Sequence, residues 1–190
     1  MISNSDSPTE FEFIVSQDIQ LDLILEQIND WSEGIDDFVE EEYFKTRWLQ
    51  ILEADNDDVI LHLFFEDNQE YLYSLDGDIL FRGFWKTLNE NNSLIIDRVV
   101  NQQVTKSELF DLAYLSPDFF ILKKHGDQKK KGKAKYLFLG REDLVENLEH
   151  DEILTLLRNE GGNSFSWNTI FMIGILVILL AVVLKYIGLL

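Results

Sequence analysis

Cysteine is absent from the 190-residue sequence, and proline occurs only twice. The absence of cysteine excludes disulfide scaffolds, thiolate metal sites and cysteine nucleophiles. Basic residues are also scarce, because 16 lysines and arginines stand against 35 acidic residues and give a formal net charge of −19. A chain this acidic repels phosphate over most of its surface, so nucleic acid is not an expected partner.

Recognisable signatures of catalysis are lacking as well. The sequence contains no Gly-x-Ser-x-Gly elbow, no phosphate-binding loop and no dinucleotide fingerprint. The three histidines, His62, His125 and His150, do not have the spacing of metal ligands. We therefore expect a protein that is not an enzyme, with no catalytic residues, no metal site and no cofactor.

The longest apolar run lies near the C-terminus, where every residue of 170–184 is apolar. This run is shorter than the roughly 20 residues that span a hydrocarbon core, but its aromatic flanks extend it. Trp167 and Tyr186 stand where interfacial aromatic residues stand, and Lys185 can extend its ammonium group to the interface. The pattern predicts a transmembrane helix over 167–190, with these three residues at the membrane interface. A buried core helix is the alternative, but such a helix normally keeps a polar face.

The N-terminus has no basic n-region and no apolar h-region, so a secretory signal is not expected. Without a signal to export the preceding residues, the chain is predicted to be a single-pass, tail-anchored membrane protein. Its larger N-terminal part would then lie in the cytoplasm. Residues 161–166, which include two glycines, are predicted to be a linker to the membrane.

The middle of the chain has the texture of a β protein. Short stretches rich in β-branched and aromatic residues alternate with turn signals such as Asp76-Gly77. This spacing predicts an up-and-down antiparallel barrel over 43–140. Strands are expected at 44–53, 58–66, 69–74, 79–88, 94–101, 104–113, 118–124 and 134–140.

Helices are expected on both sides of the barrel. Residues 1–42 form an acidic segment that is predicted to be partly helical, and 141–160 carry an amphipathic helical pattern. The last predicted strand is apolar on both faces, since Tyr136 and Phe138 alternate with Leu137 and Leu139. Such a strand is typical of a barrel wall that is covered on its outside by a helix.

Three stretches together resemble the small bacterial lipocalin-like (calycin-type) domains over about residues 44–140. They are the tryptophan-bearing strand at 48–52, a tyrosine strand with its Asp-Gly turn and a Gly-x-Trp strand at 70–85, and a Leu-Ser-x-Asp turn into an apolar strand at 109–122. The resemblance implies an eight-stranded barrel whose interior holds one small apolar ligand or is packed solid. It carries no ligand residues over, because the matching motifs are structural.

Two functional hypotheses remain open at this point. In the first, the protein is a non-enzymatic, membrane-tethered interaction module that presents an acidic barrel to a basic protein partner. In the second, it is a lipocalin-like carrier or sensor of a small apolar ligand at the membrane. The candidate ligand-binding residues for the second are five aromatic side chains that could also be core packing: Trp48, Tyr71, Tyr73, Phe84 and Trp85.

Overall fold

The computed structural model describes residues 10–39, 41–52, 58–126 and 134–163. Within these ranges no helix has the length and apolar character to cross a membrane. The predicted transmembrane helix at 167–190, with Trp167, Lys185 and Tyr186, lies outside the described residues.

Eight antiparallel strands form a closed barrel in which each strand pairs with the next and the last pairs with the first. The prediction of a mainly β, up-and-down, eight-stranded barrel is therefore confirmed. The strands are β1 (Trp48–Gln50), β2 (Ile60–Phe64), β3 (Glu70–Leu75), β4 (Asp78–Leu88), β5 (Ser93–Val100), β6 (Gln103–Leu115), β7 (Phe119–Lys124) and β8 (Tyr136–Arg141).

Two tight turns mark one end of the barrel, called here the hairpin end. Asp76 and Gly77 link β3 to β4 with φ angles of 51° and 89°. Asn101 and Gln102 link β5 to β6 with φ angles of 50° and 64°. Two consecutive residues with positive φ make the turn type whose twist matches that of the flanking strands. The Asp-Gly signal in the sequence therefore has its expected structural role.

The opposite end, called here the plug end, receives the chain before it enters β1. Between residues 32 and 44 the chain forms a short 3-10 turn at Asp37–Val39 and the one-turn helix α2 (Glu41–Phe44). The predicted strand at 44–53 is therefore shorter than expected. Phe44 ends α2, and among the described residues β1 comprises only Trp48–Gln50, of which Trp48 and Leu49 pair with both neighbouring strands. The polar residues between them form a loop, in which Arg47 pairs with Glu142.

Two longer helices, α1 (Glu10–Ile28) and α4 (His150–Asn163), cover the outside of the barrel. The residues of this outer core include Leu21, Ile24 and Ile28 of α1, Ile153, Leu154 and Leu157 of α4, and Tyr114, Phe119, Ile121, Tyr136 and Phe138 of the sheet. The inward residues Leu137 and Leu139 belong to a separate interior core. The two apolar faces of β8 are thus explained by helices on one side and the barrel interior on the other.

The amphipathic helical segment predicted at 141–160 is interrupted in the structure. It is split into α3 (Glu142–Val145) and α4, and α4 continues through the first three residues of the predicted linker. Gly161 permits this continuation against α1. A Cβ at this position would lie 3.0 Å from Ile28 Cγ2 and 3.4 Å from ring atoms of Trp31. The glycine therefore acts in close packing of two helices and not only in a linker.

Glu160 of α4 makes polar contacts to the barrel, among them one to Tyr114. Tyr114 of β6 donates a hydrogen bond of 2.7 Å from its hydroxyl to Oε2 of Glu160. Burial raises the pKa of Glu160. We expect Tyr114→Phe to lower the free energy of unfolding by about 1–2 kcal/mol, because the half-buried carboxyl group of Glu160 loses one of its donors. Amide hydrogen exchange of α4 should accelerate.

The matched control is Thr155→Ala, which removes a hydroxyl whose hydrogen bond stays within α4, to the carbonyl of Asp151. This change should leave the amide hydrogen-exchange rates near their wild-type values, both in the sheet and in the residues of α4 that contact the barrel. Equal acceleration in both variants would show that the bond to Tyr114 does not hold α4 on the barrel.

Candidate functional site

The barrel interior at the plug end is filled by a side chain from outside the sheet. Phe38, which is fully buried, stacks on Phe120 of β7 at a centroid distance of 4.5 Å. Its ring also meets Phe64 and Trp85 edge-on, at 5.2 and 5.4 Å. Offset stacking and edge-on contacts are the favourable arrangements of aromatic rings. An aromatic residue of the chain itself therefore occupies the space that a ligand would need at this end.

Hydrogen bonds hold the segment that carries Phe38 in place. The Ile35 amide donates to Oδ1 of Asn92 at 2.9 Å, which ties the segment to the turn between β4 and β5. The Gly34 amide donates to Oδ2 of Asp37 at 2.8 Å and stabilises the 3-10 turn. Further along, the ring of Tyr43 lies parallel to that of Trp48 at 6.4 Å. The segment that carries Phe38 is therefore anchored both before and after this residue.

Deeper in the interior, His62 of β2 bridges two polar side chains. Its Nε2 lies 2.9 Å from Oε1 of Gln50, and its Nδ1 lies 2.6 Å from the hydroxyl of Tyr71. Because an amide oxygen can only accept, Nε2 donates and Nδ1 accepts from Tyr71. The network therefore requires the neutral imidazole with its proton on Nε2.

Burial and, to a smaller extent, the charge of Arg98 lower the pKa of His62 to about 3. Burial also raises the pKa of Tyr71 far above its ordinary value. Both groups are therefore held neutral at physiological pH, as buried groups are when desolvation dominates. A neutral histidine whose two ring nitrogens are both engaged by side chains is a structural element of the core rather than an available base.

Towards the hairpin end, aromatic and charged side chains form a stack. The rings of Tyr73 and Phe81 lie 4.6 Å apart at an angle of 12°. The guanidinium of Arg98 lies over Phe81 at 4.3 Å, which is a cation–π geometry. Glu108 accepts from Arg98 Nη2 at 3.3 Å and from Lys106 Nζ at 2.7 Å. Two cations thus share one carboxylate at this end.

Two buried donors in the described part of the chain have no hydrogen-bond partner: Trp48 Nε1 and Arg98 Nε. Trp48 faces the interior from β1, and Arg98 belongs to the stack near the hairpin end. Buried polar atoms are normally satisfied, so each such donor marks a position where an acceptor could bind. These atoms are the strongest polar features for a small ligand in the described residues.

The five predicted ligand residues do not all lie together. Trp48, Tyr71 and Trp85 are buried in the interior core, and Tyr73 is half-buried beside them. Phe84, in contrast, is 47% exposed on the outside of the barrel. Side chains alternate along a strand, so the inward position of Trp85 directs Phe84 outward. Phe84 therefore does not line the barrel interior with the other four candidates.

The Gly-x-Trp motif of β4 has a physical explanation. A Cβ on Gly83 would lie 1.8 Å from the carbonyl oxygen of Asp97 on β5, so only glycine permits this approach of the strands. Trp85 donates from Nε1 to the carbonyl oxygen of Phe65 at 3.0 Å and ties β4 to the loop before β3. Both residues of the motif serve the architecture of the barrel.

Two residues of the site were missed by the sequence analysis. Phe38 lies among acidic residues, and only the i, i+3 spacing of Ile35 and Phe38 indicates an apolar face there. For Arg98, in contrast, the sequence did contain a signal that could have indicated its position in the interior. It shares the inward register of β5 with Leu94 and Ile96, and a charge at such a position is a candidate for a functional or paired group.

The outer surface of the plug end is acidic. Exposed carboxylate side chains come from the segment 32–44 and from the loops after β2 and β4. The hydrogen bonds of Ile35 and Trp85 hold these loops beside each other. This surface, called here the acidic end, comprises Asp36, Glu66, Asp67 and Glu90. Exposed negative charges on adjoining loops produce a local potential that attracts cations and basic peptides.

Comparison with known proteins gives little further information. No protein-family model matches the sequence, and no curated protein matches it. Among solved structures, the crystal structure of pallilysin from Treponema pallidum matches with a TM-score of 0.35 and 10% sequence identity. The match covers 67% of this chain and 98% of that chain. At this TM-score the similarity supports no conclusion about the function of this protein.

Proposed function

We propose that this chain is a non-enzymatic, membrane-tethered interaction module that binds a basic protein partner through its acidic barrel at the cytoplasmic side of a bilayer. The observation that carries the proposal is the position of Phe38. Because this side chain packs on Phe120, Phe64 and Trp85 inside the barrel, the interior supports the fold and is not left for a bulky ligand at the plug end.

The acidic end supplies a surface for such a partner. Asp36, Glu66 and Glu90 are exposed and come from three separate loops that the fold brings together. Complementary charge increases the rate of encounter and restricts the choice of partners. The sign of this surface favours lysine- and arginine-rich proteins.

The predicted transmembrane helix at 167–190 would confine this surface to the membrane. The sequence that leads to this predicted helix follows Asn163, the last residue of α4. The hydrogen bond between Tyr114 and Glu160 attaches α4 to the barrel near the plug end. Confinement raises the effective concentration of a partner that itself lies at the bilayer. The predicted tether and the acidic end are therefore compatible with one function, the binding of a basic partner at the bilayer.

Binding of a defined basic peptide tests the proposal. The full-length protein in phosphatidylcholine nanodiscs is titrated with a fluorescent oligolysine peptide at low and high salt. Asp36→Asn, Glu66→Gln and Glu90→Gln are combined in one variant. Each exposed charge pair contributes about 0.5 kcal/mol, so this variant should bind about ten-fold more weakly at low salt.

The matched control neutralises Glu146, Glu149 and Asp151, which are exposed on α3–α4 and the residues between them. It changes the net charge by the same amount and should alter the affinity by less than about two-fold. An equal loss in the two variants, or binding that does not weaken with salt, would contradict a localised acidic docking surface.

A lipocalin-like carrier or sensor of a small apolar ligand is the second candidate function. It is favoured by the unpartnered donors Trp48 Nε1 and Arg98 Nε and by the half-buried pair Tyr73 and Phe81 near the hairpin end. Ligand sites typically combine apolar lining with a few polar groups of this kind. The two candidates differ in whether the native interior accepts an apolar molecule.

A further inference from the structure

The outer face of α1 carries large apolar side chains that the barrel does not cover. Ile19, Leu23 and Trp31 are 54%, 56% and 51% exposed. Ile19 and Leu23 are one helical turn apart, and Trp31 lies in the 3-10 turn (Asn29–Trp31) that continues α1. Their neighbours Leu21, Ile24 and Ile28 are buried against the sheet and α4. The segment is therefore apolar towards the barrel and partly apolar on its outside.

Trp31 lies next to the point where the chain continues to its C-terminal segment. The packing of Gly161 against the Trp31 ring places this tryptophan beside the last turn of α4, which ends at Asn163. From Asn163 to Trp167 the chain has four Cα–Cα steps, which reach at most about 14 Å. If the predicted transmembrane helix begins at Trp167, Trp31 is close to the bilayer interface.

Two surfaces of the domain lie at this end of the barrel, namely the acidic end and the part of the outer α1 face that includes Trp31. The acidic end is unfavourable against lipid, because its carboxylates would lose hydration without gaining partners. The α1 face offers a tryptophan, and tryptophan side chains are enriched at the headgroup level of bilayers. Glu26 and Asp30 are also exposed on this face, so anionic lipids would oppose its approach, whereas zwitterionic lipids would not.

We propose that α1 lies on the surface of the bilayer that the C-terminal segment enters, with Ile19, Leu23 and Trp31 among the lipid headgroups. This inference rests on the proposed membrane tether. It adds an orientation to the tether, because the barrel then lies on its α1 side. The acidic end and the hairpin end both remain accessible from the aqueous phase, where a partner can reach them.

The absence of cysteine allows a direct test with single labelled sites. An environment-sensitive fluorophore is attached at Leu23→Cys or, as a control, at Leu80→Cys, which is 55% exposed at the hairpin end. Each full-length variant is placed in phosphatidylcholine nanodiscs. The label at position 23 should be quenched by lipid-borne nitroxides and protected from aqueous iodide, whereas the label at position 80 should respond in the opposite way. Equal iodide accessibility at both sites would overturn the inference.

Two further measurements separate this inference from the proposed function. Retention of the protein in vesicles after a carbonate wash, together with an iodide-accessible label at position 23, shows that the tether holds and α1 does not dock. Loss of the protein from the washed vesicles contradicts both the proposed membrane tether and the docking of α1. Trp31→Gln in the Leu23→Cys background should increase iodide quenching at least about two-fold while the circular dichroism spectrum is unchanged. Unchanged quenching contradicts the role of Trp31 in docking.

Discussion

Phe38→Ala is expected to lower the free energy of unfolding by about 3–5 kcal/mol, the range for large buried aromatic side chains. Phe38 is 0% exposed and contacts aromatic rings on β2, β4 and β7. Its removal loses these contacts and leaves a cavity, because three strands of a closed barrel cannot collapse into the space. Urea unfolding of the full-length protein in a mild non-ionic detergent measures the change.

The matched control is Phe84→Ala, which deletes the same side chain from the outside of β4. Since Phe84 is 47% exposed, its loss should cost less than about 1 kcal/mol. Similar losses for the two variants would mean that Phe38 does not fill the interior. In that case, the main argument against a hollow barrel would fail.

Acidification is expected to remove about 5 kcal/mol of stability through His62 alone. The pKa of His62 is about 3 in the folded protein and about 6.5 in an unfolded chain. Between these values the unfolded state binds a proton that the folded state does not bind. Stability is therefore complete above about pH 6.5 and is lost as the pH falls towards 3. The loss follows from the two pKa values at about 1.4 kcal/mol for each pH unit.

Urea unfolding at about pH 7 and about pH 4 tests this contribution, of which about 3.5 kcal/mol falls between these two pH values. His62→Asn should be less stable than the wild type at neutral pH, because Tyr71 and Gln50 lose their partner, but its stability should depend less on pH. Phe38→Ala is the control, since it is also destabilised but keeps the imidazole and should keep the wild-type dependence. The pKa values of other groups are shifted in both directions, so the decisive quantity is the difference in pH dependence between the variants. An unchanged dependence in His62→Asn would contradict a neutral buried His62.

Local signals were sufficient to predict the barrel. The Asp76-Gly77 turn and the short stretches rich in β-branched and aromatic residues each reflect short-range geometry, which the sequence displays directly. The two apolar faces of β8 also predicted an external helix, and α1 and α4 cover this strand. Each of these features depends on residues that are neighbours in the sequence.

The interior of the barrel was less predictable, because its key contacts join residues far apart in the chain. Phe38 meets Phe120 only after the sheet has closed, and the many acidic residues around Phe38 in the sequence favour a solvated segment. The inward position of Trp85 and the outward position of Phe84 follow from register, which a list of aromatic residues does not contain. Strand pairing therefore decided which predicted residues could form one site.

Titration of the full-length protein in nanodiscs with an environment-sensitive apolar probe tests the central claim that the native interior is filled. Empty nanodiscs give the background, energy transfer from interior tryptophans reports entry of the probe, and Phe38→Ala tests whether an opened interior is detectable. We predict that the wild type shows no saturable binding above the background. Saturable one-to-one binding to the wild type, with quenched tryptophan emission, would contradict the claim and favour the carrier.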